Sequence, residues 1–179
     1  MRGPSVKPIL IGLAAMVALA ACDPGLQPGA HQPGTSVYRL SAADTPRVQA
    51  RMLDAVNAVR RANGVQPLTL NANLNAAADM HSRDMSAQSR PWHFGSDGSS
   101  PLDRLARVGY PGQLVGEAIS ETYETETETL TAWMEETSSR QIILDPRATE
   151  MGFAYHQEPN GKLWWTLVLG RAAEALAES

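Results

Sequence analysis

The chain has 179 residues, a formal charge of −4 and a single cysteine. With 19 acidic against 15 basic residues it carries no electrostatic footprint for nucleic acid, and no polybasic cluster of the kind that draws proteins to anionic lipid. One cysteine excludes a disulfide framework, so an exported domain of this composition has to be held by its core.

Residues 1–21 read as an export signal. Arg2 and Lys7 form a basic start, and Ile9 to Ala21 is an apolar run too short to span a bilayer. It ends in Leu19-Ala20-Ala21-Cys22, which resembles a bacterial lipobox, where small residues admit the signal peptidase and the cysteine sulfur receives the lipid. The alternative is a plain signal peptide that leaves Cys22 as a free thiol. From Cys22 onward 158 residues remain, one domain's worth, and losing Arg2 and Lys7 takes the formal charge from −4 to −6. Residues 22–45 are rich in Pro, Gly and Gln, include His31, and read as a flexible tether. The expected partner of this end is the membrane, held through lipidated Cys22 on the periplasmic face of the cell envelope. Asp23 resembles the signal that retains lipoproteins of enteric bacteria at the inner membrane.

Within the mature chain, Thr45-Pro46 predicts a helix start, with a capping hydroxyl before a first-turn proline. Val48, Met52, Ala55, Val56 and Val59 recur at helical spacing, and Gly64 ends the run. Pro67 to Leu70 is a short extended link. Asn71 caps a second helix whose apolar face is Leu74, Ala77, Ala78, His81 and Met85, with His81 at the centre of the stripe. Ser100-Pro101-Leu102-Asp103 has the form of a capping box and opens a short helix that stops near Gly109. Leu114 to Ile119 predicts a strand. Glu124 to Ser138 predicts one helix with Leu130, Trp133, Met134 and Thr137 on a common face. Glu150 to Glu158 and Lys162 to Gly170 flank Pro159-Asn160-Gly161 and predict a hairpin. Its second arm, Leu163 to Leu169, is almost continuously apolar and is expected to be a central strand covered on both faces. Residues 171–179 form a short Ala/Glu tail. Helices first and strands last give an α+β fold, with helices packed on a small antiparallel sheet.

Between these elements a series of isolated residues stands at characteristic intervals. It runs Trp92-His93-Phe94, Asp97-Gly98, Arg104, Gly109-Tyr110, Gly116-Glu117, Trp133 with Glu136 three residues later, Leu144-Asp145-Pro146 and Glu150-Met151-Gly152. The series resembles the CAP superfamily: cysteine-rich secretory proteins, insect venom antigens, plant pathogenesis-related proteins and bacterial relatives. The likeness covers residues 46–170 and implies a three-layer α-β-α sandwich. It also implies a central cleft lined by two histidines and two acidic residues, which in some members bind a divalent metal. His93 matches the first histidine, Glu117 the first glutamate, and Glu136 the second acidic position of the animal proteins. Ser139, followed by Arg140, stands where the second histidine is expected, and Ala118 stands where members usually have Asn.

Two readings of the cleft stay open. His93, Glu117 and Glu136 offer three of the roughly four donors zinc takes, with water as the last, although two carboxylates and one imidazole suit zinc less well than two imidazoles. Alternatively His93 hydrogen-bonds Glu117 as a structural pair, and no cofactor is required. Glu136, beside Trp133, is expected to be partly buried and its pKa raised by desolvation, unless His93 or Arg140 compensates. Arg104 is most simply a salt-bridge or carbonyl donor. His81 suits a core or cleft-edge position, and His156 falls on the solvent side of the hairpin. No H-E-x-x-H pair, G-x-S-x-G elbow or phosphate-cradling loop is present.

The leading expectation for function is a membrane-tethered, non-enzymatic binding module. Its expected ligand is a lipid or an envelope protein, taken in an apolar pocket near Trp92, Phe94, Tyr110 and Trp133. The alternative is a hydrolase, either with a metal-activated water on His93, Glu117 and Glu136 or with a Ser139–His93–Glu117 relay. A purely structural spacer is the third class.

Overall fold

The computed structural model describes residues 38–173. Cys22, Asp23, His31 and the last residues of the tail lie outside the described residues. Helix α1 spans Thr45–Ala62 and buries Val48, Met52 and Val56. Thr45 is its first residue, not its cap. Asp44 takes the cap position at the end of a single 3-10 turn over Ala42–Asp44, and its carboxylate accepts from the Ser41 N–H and hydroxyl. Near the other end the helix also buries Arg60. That guanidinium donates to the carbonyls of Gln66, Ile143, Asp145 and Ala148 at 2.6–3.1 Å, and so ties α1 to the chain before the hairpin.

Strand β1, Thr69–Leu70, leads into helix α2, Ala72–Gln88, whose first N–H groups bond to the Asn71 side chain. Helix α3, Pro101–Arg107, opens on the reciprocal box of Ser100 and Asp103. Strand β2 follows at Gln113–Glu121, then helix α4 at Glu126–Glu135 and helix α5 at Thr137–Ile143. The single helix expected from Glu124 to Ser138 is therefore two. Glu136 is extended between them (φ −82°, ψ 127°). The sequence after it, Thr-Ser-Ser, is a poor helix interior because short hydroxyl side chains compete for local hydrogen bonds. The break lets Trp133 and Ile143 both reach the core.

Strands β3, Glu150–Gln157, and β4, Leu163–Arg171, form the expected hairpin, and the sheet order is β1-β3-β4-β2. The three long strands are antiparallel, and short β1 pairs parallel to β3. β4 sits in the middle, which is why Leu163 to Gly170 is buried throughout. On one face Trp165, Leu167 and Leu169 pack with Phe153 against α1, α4 and α5; on the other Val168 and Ala154 pack with Leu74, Ala77 and Ala78 of α2 and Leu105 of α3. This is the three-layer α-β-α sandwich. The last residues of the expected tether belong to it as well. The Leu40 N–H donates to Gln157 Oε1 at 2.9 Å, and Gln157 Nε2 donates to the Tyr38 carbonyl at 2.7 Å.

Candidate functional site

Four elements bring the chemistry together at one side of the sheet. β2 supplies Glu117, α2 supplies His81, and α3 supplies Arg104. The loop after α2 supplies His93. Glu117 is the hub. Its carboxylate accepts from Arg104 at 2.9 and 2.8 Å and from His93 Nδ1 at 2.9 Å. His81 Nε2 stands 3.7 Å from the same Oε1. The Arg104 guanidinium also donates to the carbonyls of His93 at 3.1 Å and Ser99 at 3.3 Å, so one buried cation fixes both the carboxylate and the loop that carries the imidazole. Arg104 is thus both a salt-bridge partner and a carbonyl donor.

The pair His93–Glu117 straddles the protein surface: the His93 side chain is 51% exposed and the Glu117 side chain 2%. Burial pushes the Glu117 pKa up, but the hydrogen bond from His93 and the charge of Arg104 outweigh it, and the net shift is downward. An ionised Glu117 accepts the Nδ1–H hydrogen bond of His93, which leaves Nε2 as the ring nitrogen that His93 offers outward. His81 is wholly buried and bonds the Trp92 carbonyl through Nε2 at 2.9 Å, so Nε2 carries its proton. Its Nδ1 has no partner among the described residues. Burial holds its pKa below the ordinary value, and it is neutral at pH 7.

His93 and Glu117 line a small cleft of about 120 Å³ with Ala118, Ile119, Glu136, Ser138, Ser139 and Ile142. The structure therefore brings all four sequence-predicted residues to one place, but not in one hydrogen-bonded chain. Glu136 is exposed and, at the start of α5, accepts from the Ser138 hydroxyl and from the buried Ser139 hydroxyl at 2.6 Å. Those hydroxyls lower its pKa, which corrects the expectation of partial burial and a raised value; desolvation is the lesser effect because Glu136 is exposed. Ser139 spends its proton on Glu136, and no hydrogen bond joins it to His93 among the described residues, so the relay is not assembled.

The donor set does not fit a metal either. Both oxygens of Glu117 are taken by a guanidinium, one of them also by an imidazole, and a serine stands at the fourth position. Among the described residues no three His, Cys, Asp or Glu side chains gather in a metal-holding group. The expected apolar pocket is corrected as well. Trp133 and Tyr110 are buried in the two cores, and only Trp92 and exposed Phe94 remain near the surface, their rings 5.6 Å apart. Half-buried His156 pairs with Trp164 across the hairpin, away from the cleft residues. Two contributors were underrated in the sequence. His81 is signalled only by its place at the centre of an apolar stripe, and Ser138 by nothing but adjacency to Ser139.

The chain is 28% identical over 123 residues to the uncharacterised protein YkwD of Bacillus subtilis (strain 168), a match covering 69% of this chain and 47% of that one. Its fold is similar to an extracellular protein with an SCP domain from Bacillus anthracis (TM-score 0.66, 20% identity, 74% of this chain and 44% of that chain). It is also similar to an outer surface protein of Borrelia burgdorferi (TM-score 0.67, 14% identity, 72% of this chain and 96% of that chain). The chain thus spans about half the length of YkwD. The pattern of the cysteine-rich secretory protein (CAP) family matches residues 53–169, and the chain belongs to that family.

Proposed function

We propose that this protein is a membrane-tethered CAP-domain lipoprotein of the bacterial envelope that works as a non-enzymatic binding module through the polar cleft of His93, Glu117, Glu136 and Ser139. One observation carries the reading: the Glu117 carboxylate is held by Arg104 and His93 and the Ser139 hydroxyl by Glu136, so neither hydrolase arrangement is assembled, while the space beside them is open and polar. An engaged carboxylate orients its neighbours, and a cleft of about 120 Å³ admits a small polar group or the end of a longer ligand. The tether reading rests on Cys22 in its lipobox and on Asp23, with the domain on the periplasmic face of the inner membrane. Among the described residues no helix is long and apolar enough to cross a membrane. The relatives described as extracellular and as an outer surface protein are in keeping with an exported domain.

Native mass spectrometry of the intact lipoprotein, extracted in mild detergent and incubated with envelope extract, tests the binding reading. A retained ligand that is lost from the Glu136→Lys variant is the expected result. Retention of nothing by the wild type, or equal retention by the variant, would sink it.

A further inference from the structure

The cleft lies against the free edge of β2, and the register of the sheet says which main-chain groups face it. β3 turns the N–H and C=O of Phe153 away from β4, to the side chains of Asn75 and Gln49 at 2.9 and 2.8 Å. Leu167, opposite Phe153, therefore turns its own main chain toward β2, where it faces Ala118. The alternation follows along β2: Gly116, Ala118 and Ser120 pair with β4, and Glu117 and Ile119 point their N–H and C=O off the sheet. The Trp133 indole agrees with this sense, donating to the Ile119 carbonyl at 3.0 Å. The N–H and C=O of Glu117 and the N–H of Ile119 find no partner among the described residues, and both residues line the cleft.

Unpaired main-chain groups on a covered strand edge are costly unless something pairs them. Here they form a row, donor, acceptor, donor, at the spacing of an extended chain. Such a row is matched by another extended main chain. Across the cleft stand the Glu136 carboxylate and the Nε2 lone pair of His93, both acceptors. The Arg104 charge is spent on Glu117, so Glu136 is the lining carboxylate with no guanidinium of its own. A cleft of about 120 Å³ has room for about four water-sized groups, the end of a chain and not its middle.

We propose that the cleft captures the amino terminus of an extended peptide. The ammonium donates to Glu136 and His93, and the first peptide unit pairs with the edge of β2 at Glu117 and Ile119. The inference rests on the binding-module reading and names its ligand class.

Nitrogen–proton correlation spectra of the intact chain in detergent micelles, titrated with trialanine amide and with its N-acetylated form, test it. The free-amino peptide is expected to move the Glu117 and Ile119 amide signals and to bind about tenfold more tightly than the acetylated one. Glu136→Gln, at an exposed position, is expected to keep the dispersed spectrum and lose that preference. Equal binding of the two peptides overturns the ammonium assignment. Binding that leaves both amide signals unmoved, or no binding of either peptide, overturns the strand-edge site. A chain that ignores both peptides yet retains an envelope ligand in the mass spectrometer loses this inference and keeps the binding reading; a chain that does neither loses both.

Discussion

The carboxylate of Glu117 is 2% exposed and stays ionised there because Arg104 and His93 fill its acceptor sites. Removing one partner of such a pair strands the other in a dry environment. Glu117→Gln and Arg104→Met are each expected to cost about 3–5 kcal/mol in urea unfolding. The double variant Glu117→Leu with Arg104→Met is expected to recover much of that, because no charge is left unpaired. Single losses below about 1 kcal/mol would mean that water screens the pair. Titration separates the two buried groups. His81 is held neutral by burial, so its folded pKa lies below the ordinary 6.5. An unfolded chain takes up that proton first, and stability complete above pH 6.5 erodes as the pH falls toward the folded value. Glu117, with a folded pKa below the ordinary 4.5, adds stability above pH 4.5 that is lost as the pH drops through its folded value. Denaturation across pH 8 to 3 is expected to show a two-stage decline, and His81→Gln to flatten the upper stage. An unchanged upper stage in that variant would place the titrating group elsewhere.

At the scale of elements, α2 and β3 meet where no side chain fits. A Cβ on Gly152 would stand 2.0 Å from the main-chain carbon of Leu74, so the first turn of α2 rests directly on the strand. Gly152→Ala is expected to lose about 3 kcal/mol or more on urea unfolding, the strain of forcing backbone apart in a packed layer. A loss under about 1 kcal/mol would show that α2 slides freely on β3. Helix starts at Asn71 and Ser100 and the hairpin around Asn160-Gly161 were readable from sequence because each depends on contacts within a few residues. The break at Glu136 was not. Leu130, Trp133, Met134 and Thr137 keep helical spacing across it, and what decides the break is that Trp133 and Ile143 must both enter the same core. The lowered pKa of Glu136 has the same origin. Its neighbours along the chain predicted burial, and the turn gave it solvent and two hydroxyls instead.

At the scale of the whole molecule, the sandwich closes without a disulfide, since the chain has a single cysteine, and the proposed lipid on Cys22 would tie it to the membrane. Cys22→Ser is expected to move the protein from the membrane to the soluble fraction of lysed cells without changing its melting temperature. Continued membrane association would remove the tether from the functional reading. The sequence by itself determined the α+β class and most of the elements: hydrophobic periodicity marks buried faces, and an unbroken apolar run marks a strand covered on both sides, as in β4, while the three layers came from the family resemblance. It also placed His93, Glu117, Glu136 and Ser139 near one cleft, through family spacing. Only the tertiary structure decided how they pair. Arg104 and His81 come to Glu117 from separate helices, Ser139 turns to Glu136 and not to His93, and the unpaired edge of β2 opens beside them. Hydrogen bonds and ion pairs are set by directions over about 3 Å, and those directions exist only once strands are in register and helices are docked.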